Sequence, residues 1–250
     1  MNDQQASPAR RRALFGVGAT AAAAVAWNQF RSVSAPGGDS ARNDAVNGDR
    51  AQVLTPGARY SDHLPDVTLQ TQSGRSVRLV SDLIQNKRVL VSFFYTHCNG
   101  ICPLTSALFQ RLRRPLADQF GEDICLISVT LDPLVDTPAE LKRYAGLRDA
   151  EDESNAQQTG LASWYFLTGS PEDVEAVRVG FGYTDPDPVL DADRTQHAGL
   201  FTFGNDRTNR WCTFPVGLDF DQTLAGIVRF LGTSSEHRYA WLPRPRQTPA

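Results

Sequence analysis

Arg88-Val89-Leu90-Val91-Ser92-Phe93-Phe94-Tyr95-Thr96-His97-Cys98-Asn99-Gly100-Ile101-Cys102-Pro103 is the stretch from which the fold can be read. Val89 to Tyr95 is an apolar run rich in β-branched and aromatic residues, which predicts a strand buried on both faces. The run stops abruptly at two cysteines and a proline. Beyond them Leu104, Leu108, Leu112, Leu116 and Phe120 recur every fourth residue. That spacing predicts a helix burying this stripe, with Pro103 at its first position, where a missing N–H costs nothing. Cys102 then opens a helix, whose free N–H groups and positive dipole end favour a thiolate. Cys98 sits on the loop before it, and Asn99-Gly100 allow a tight turn that brings the two sulfurs together. Such a pair closes a reversible disulfide or grips a soft metal ion; the competing reading is two buried structural cysteines or a stable disulfide.

The rest of the chain supplies the frame. Its 250 residues, 41% hydrophobic and 21% charged, suit one soluble globular domain with extra segments. A net charge of −3 from 28 acids and 25 bases gives no reason to expect nucleic acid, which would want a basic face. Four cysteines are too few for a disulfide scaffold, so Cys98 and Cys102 are judged on their surroundings.

Residues 1–35 read as an export signal: Arg10-Arg11-Arg12, then an apolar core from Ala13 to Trp27 too short for a comfortable membrane span, then Val33-Ser34-Ala35 as a small-residue cleavage site. Arg11-Arg12-Ala13-Leu14-Phe15 resembles a twin-arginine signal. A general-secretory signal or an uncleaved membrane anchor competes with it. Each of these signals predicts a periplasmic or extracytoplasmic destination; the remaining alternative is a soluble N-terminal helix. Residues 36–60 are polar and Gly-rich and predict a linker; residues 61–233 form the domain, and 234–250 a Pro- and Arg-rich tail containing His237. His63, at the domain entry, is not a metal-ligand candidate.

Val67–Thr71 and Ser76–Val80, joined across Gln72 to Arg75, predict an N-terminal β-hairpin. Ile124 to Leu131 predicts a second buried strand with Cys125 as a core residue. Asp132-Pro133-Leu134-Val135-Asp136-Thr137-Pro138 leads into a helix over Ala139 to Ala145 capped by Thr137. Asp132, at a strand's carboxyl end, is a site candidate, and Asp136 a site or turn residue. Gly146 to Ser163 reads as a solvated loop, Trp164 to Thr168 as a third strand, and Ser170-Pro171-Glu172-Asp173 as a capped helix start. Asp185 to Arg194 reads as an irregular loop delivering His197 to a strand over Ala198 to Phe203. A hairpin partner over Trp211 to Phe214, with Cys212 at core or edge, and a helix over Phe220 to Leu231 complete the domain.

His197, at the mouth of a strand, is the histidine that a folded sheet brings towards the cysteines. Two thiolates and one imidazole make a compact soft site suited to Cu(I) and usable by Cu(II), whereas zinc wants a fourth ligand or a solvent position; His97 could supply the former. The cysteine segment Cys98 to Pro103, the Asp132 to Pro138 segment, Trp164 to Thr168 with Gly169-Ser170-Pro171-Glu172, and the late His197 together resemble the Sco/SenC family of copper-handling thioredoxin-like proteins. The resemblance spans roughly Leu64 to Leu231. It implies an α/β thioredoxin-like fold, a central mixed sheet flanked by helices, with Cys98, Cys102 and His197 as copper ligands. It also implies work on the outer face of a membrane, delivering copper to the dinuclear copper centre of cytochrome oxidase, or to another copper enzyme, or keeping client cysteines reduced. As a thiol-disulfide oxidoreductase, with Cys98 and Cys102 as the catalytic redox pair, it would need a thiol reductant. Many members carry an acid directly before the late histidine; this chain has Gln196 there, with Asp193 nearby. A thioredoxin-type enzyme usually has two residues between its cysteines, where this chain has three, and a thiol peroxidase would need one activated cysteine in a Pro- and Thr-containing loop.

Overall fold

The computed structural model describes residues 58–150, 159–193 and 199–232. The export signal, most of the linker, residues 151–158, His197 with its neighbours 194–198, and the tail lie outside them. In chain order the elements are β1 (Thr68–Thr71), β2 (Ser76–Arg78), β3 (Arg88–Phe94), α1 (Cys102–Phe120), β4 (Ile124–Thr130), α2 (Pro138–Gly146), β5 (Ser163–Thr168), α3 (Pro171–Gly180), α4 (Pro188–Ala192), β6 (Leu200–Asn205), β7 (Arg210–Pro215) and α5 (Phe220–Leu231).

The strands form one seven-stranded sheet in the order β2-β1-β5-β4-β3-β6-β7. β3, β4 and β5 run parallel, connected by α1 and α2; β1 joins β5 antiparallel, and β6 joins β3 antiparallel. All seven residues of both β3 and β4 are buried, which is why they read as continuous apolar runs. Leu90 and Phe94 point to the face covered by α1, α2 and α5, while Val89, Val91 and Phe93 point to the face covered by α3 and the chain's entry segment. Helices thus flank a mixed sheet, and the expected hairpin stands at its edge: Leu69 opposes Val77, and Gly74 takes φ +79° in the turn, a conformation that glycine adopts without a Cβ clash. The second strand ends earlier than its pattern suggests, because Leu79–Ile84 curl into a wide helical turn. Gln72, buried just past β1, holds the hairpin to β5, giving its amide N–H to the Ala150 and Trp164 carbonyls (3.0 and 2.9 Å) and accepting from Phe166 N–H (2.9 Å).

Three expectations need correction. The buried face of α1 is Cys102, Thr105, Ser106, Phe109, Leu112, Arg113, Leu116 and Phe120; Leu104 is 50% exposed. A strict fourth-residue stripe drifts around a helix of 3.6 residues per turn, so Leu104 and Leu116 cannot share one line. The segment between α2 and β5 is not simply solvated, since Ala150 and Ala162 are fully buried and the buried Arg113 donates to the Ala162 and Asp149 carbonyls (2.9 and 2.6 Å). Asp185 to Asp193 is not irregular throughout: Asp187 caps the short α4 by accepting from Val189 N–H at 2.8 Å. The other capping expectations hold, with Thr137 accepting from Glu140 N–H and Ser170 from Asp173 N–H.

Candidate functional site

β3 delivers the chain to the carboxyl end of the sheet, and a loop from Tyr95 to Ile101 carries it to α1. Cys98 N–H donates to the Tyr95 carbonyl at 3.2 Å, and the Ile101 carbonyl accepts from Thr105 N–H at 3.0 Å and Thr105 Oγ1 at 3.1 Å, so the loop is tied at both ends. Both cysteines are free thiols, Cys98 at 9% and Cys102 at 1% exposure. They rest on the core under α1 with Phe94, whose ring centroid lies 5.1 Å from Tyr144 and 5.4 Å from Phe166.

The balance of burial and hydrogen bonds in this cluster favours ionisation of Cys98 over Cys102. Burial alone would push the Cys98 thiol up, but hydrogen bonds from the Cys102 thiol, the N–H groups of Cys102 and Gly100, and the Tyr95 hydroxyl outweigh it and bring Cys98 below the ordinary thiol range. Cys102 is pushed up to about 12, first by burial and then by giving its proton to Cys98. Tyr95 is likewise pushed up to about 12 by burial and by its bond to Cys98. The helix start was expected to activate Cys102. Its N–H lowers both thiols, but at Cys102 burial and the proton lent to Cys98 outweigh it. Tyr95 read from sequence only as the end of a strand, and nothing in its pattern signalled the bond.

Of the two aspartates, Asp136 is the one built into the loop. It is fully buried, and its Oδ2 accepts from Thr96 N–H at 3.0 Å and Thr130 Oγ1 at 2.5 Å, while Oδ1 accepts from Thr96 Oγ1. Asp132 is half-buried and turns the chain through its backbone, its carbonyl accepting from Asp136 N–H at 2.9 Å. His97 is exposed, with Nδ1 3.0 Å from Thr96 Oγ1.

His197 lies outside the described residues, as does Gln196. The segment is flanked on both sides by described residues. Before it, Arg178 uses all five of its N–H donors to grip the approach: Glu175 Oε2 and Oε1 at 2.9 and 2.7 Å, Asp191 Oδ1 and Oδ2 both at 2.7 Å, and the Tyr183 carbonyl. Asp193 follows, exposed, close enough for its charge to raise Tyr95. After it, Gly199 packs so tightly on the loop that a Cβ there would lie 2.6 Å from Ile101 Cγ1. Between the strap and the sheet lies a cleft of about 320 Å³ lined by Phe93, Leu131, Tyr183, Asp193 and Leu200 among others.

The remaining candidates lie elsewhere. Cys125 is on the opposite sheet face, where its thiol donates to the Leu83 carbonyl at 3.4 Å and burial pushes it up to about 12. Cys212 is half-buried on edge strand β7, and His63 half-buried in the 3₁₀ turn Tyr60–His63. Among the described residues no three His, Cys, Asp or Glu side chains come together, so Cys98 and Cys102 stand as a two-sulfur donor pair fit for disulfide exchange or a soft ion. No helix among the described residues is long and apolar enough to cross a membrane.

Comparison with known proteins places this architecture. The model of the SCO1/SenC family matches residues 58–231. The SCO1 protein homolog of Bacillus subtilis (strain 168) is 31% identical over 102 residues, 41% of this chain and 47% of that protein, so the match spans about half the length of that relative. A SCO1/SenC family lipoprotein from Bacillus anthracis has a similar structure, with a TM-score of 0.52 and 22% identity over 68% of this chain and 95% of that one. ScoI of Bradyrhizobium japonicum, solved with copper bound, gives a TM-score of 0.47 and 26% identity over 66% of this chain and 96% of that one. The fold is the thioredoxin-like α/β fold of Sco structures. The family match takes in every strand of the sheet, both site cysteines and the Asp132 to Pro138 segment, and the chain belongs to the SCO1/SenC family.

Proposed function

We propose that this chain is an extracytoplasmic copper chaperone that takes up Cu(I) through Cys98, Cys102 and His197 and assists assembly of the dinuclear copper centre of cytochrome c oxidase, with a copper-requiring oxidase subunit as client. The observation that carries it is the thiol pair at the head of α1, in which Cys102 donates its proton to Cys98. Thiolates are soft donors that select Cu(I), and Cys98 is held ready to ionise. Gly199, two residues past His197, sits against Ile101 between the two cysteines, which supports the late histidine as the nitrogen donor. Copper is cargo here, so the pair has to release it as well as hold it. Residues 1–35 serve as the export signal, cleaved or kept as an anchor, 36–60 as a linker, 61–233 as the copper-handling domain and 234–250 as a tail.

Anaerobic Cu(I) titration of the reduced protein against a competing chelator tests this. Cys98→Ser or Cys102→Ser should nearly abolish tight binding, His197→Ala should leave a weaker two-sulfur site, and Cys125→Ser and Cys212→Ser should leave the stoichiometry unchanged. Loss of binding in a folded Cys125→Ser variant, with His197→Ala binding normally, would overturn the ligand set.

The lowered Cys98 thiol beside a protonated Cys102 favours a second reading, a thiol-disulfide oxidoreductase that keeps client cysteines reduced without holding metal. A protein that cycles between dithiol and disulfide with a client peptide yet binds no Cu(I) would support it over the first.

A further inference from the structure

The hydroxyl of Thr96 meets two side chains and has one proton to give. On one side is Asp136, on which three donors converge: Thr96 N–H, Thr96 Oγ1 and Thr130 Oγ1. Thr130 Oγ1 in turn accepts from Asp132 N–H at 3.0 Å. Asp136 accepts in all three bonds, so the Thr96 proton goes to Asp136. Towards His97 Nδ1, 3.0 Å away, Thr96 Oγ1 therefore presents a lone pair. The proton of that hydrogen bond sits on Nδ1. A neutral His97 then carries its free lone pair on Nε2, the outer ring nitrogen, on an exposed side chain adjoining Cys98 in the chain. Metal-binding histidines are commonly prepared in this way, the second ring N–H being given to a carboxylate or other acceptor that fixes tautomer and orientation. The Asp136–Thr96 pair does it at one remove.

We infer that His97 is a transfer ligand for copper: an imidazole outside the resident donor set that engages the ion as it enters or leaves the two thiolates, which rests on the copper reading of the site. On release, a bond from His97 Nε2 to Cu(I) forms as one copper–sulfur bond breaks, and the freed thiolate takes a proton from solvent. Copper keeps its oxidation state. The imidazole loses no proton, because Nε2 carries none. Uptake is the reverse. A ligand of this kind alters rates and leaves the resting equilibrium to the cysteines.

The test compares reduced, full-length wild type, His97→Ala, Thr96→Val and Thr96→Ser, each loaded with Cu(I) and mixed with excess bathocuproine disulfonate, with extraction followed by absorbance. Equilibrium affinity is measured against the same chelator, and the His97 tautomer is read in the metal-free protein by long-range ¹H–¹⁵N NMR of the imidazole. Extraction from His97→Ala should slow about tenfold, the scale on which such outer partners act, with unchanged equilibrium affinity. Thr96→Val should slow extraction and mix the tautomers although His97 is present, and Thr96→Ser, which keeps the hydroxyl, should restore both. Equal extraction rates for copper-loaded wild type and His97→Ala, or a wild-type His97 protonated on Nε2 instead of Nδ1, would overturn the inference. A wild type that binds no Cu(I) would remove the copper reading and the transfer role together, and is recognised by the titration before any rate is measured.

Discussion

Cys98 and Cys102 differ in what ionisation costs each of them. Cys98 is lowered by the donors that converge on its sulfur, and Cys102 is raised to about 12 by burial and by the proton it lends. A lowered folded value means thiolate is present at lower pH than for a free cysteine, near 8.5. Iodoacetamide should therefore label Cys98 with a pH midpoint below that value, while Cys102 stays unlabelled until far more alkaline pH, as peptide mass spectrometry would show. The two share a proton and titrate as a pair, so Cys102→Ala should move the Cys98 midpoint back up. A lower midpoint at Cys102 than at Cys98 would contradict the arrangement. At the same scale, Gly199→Ala would press a Cβ onto Ile101 from 2.6 Å. It should disturb the cysteine loop, read as slower disulfide formation between Cys98 and Cys102 with the fold retained by circular dichroism.

Within the elements, α1 gives the sharpest contrast. Phe109 is fully buried beside Trp164 and Phe201, and Leu104 half-exposed. Phe109→Ala should cost about 3–5 kcal/mol in chemical denaturation, and Leu104→Ala about 0.5 kcal/mol or less. Arg178 grips Asp191 and the Tyr183 carbonyl ahead of His197, where α4 buries none of its side chains. Arg178→Gln should accordingly speed limited proteolysis between Phe181 and Leu200 while leaving cleavage elsewhere unchanged. Sequence pattern reached the elements themselves well. A fully buried strand writes itself as Val89 to Phe94 or Ile124 to Thr130, and Ser170-Pro171 or Thr137-Pro138 marks a capped start. It missed what depends on partners far along the chain: which turn of α1 faces the sheet, that Asp136 reaches back to Thr96, and which of two neighbouring thiols burial leaves the more acidic. Those are set by packing directions that spacing does not encode.

Across the molecule, topology gathers the site. β3 ends where β6 begins, because the two pair antiparallel with Ser92 opposite Phe201, and the Asp132 to Pro138 segment emerges beside them from β4. Sequence motifs point to Cys98, Cys102 and the Asp132 to Pro138 segment but not to the strand order that brings them together. The proposed function requires export, which the reading of residues 1–35 as a signal makes testable: with Arg11 and Arg12 both replaced by Lys, the protein should remain inside if the twin-arginine route carries it, and normal export would exclude that route. Central to the proposed function is one copper ion held by two sulfurs and one nitrogen. X-ray absorption of the Cu(I)-loaded, reduced protein tests this most directly: the account predicts two sulfur scatterers and one nitrogen around each copper, and a shell without sulfur would contradict it.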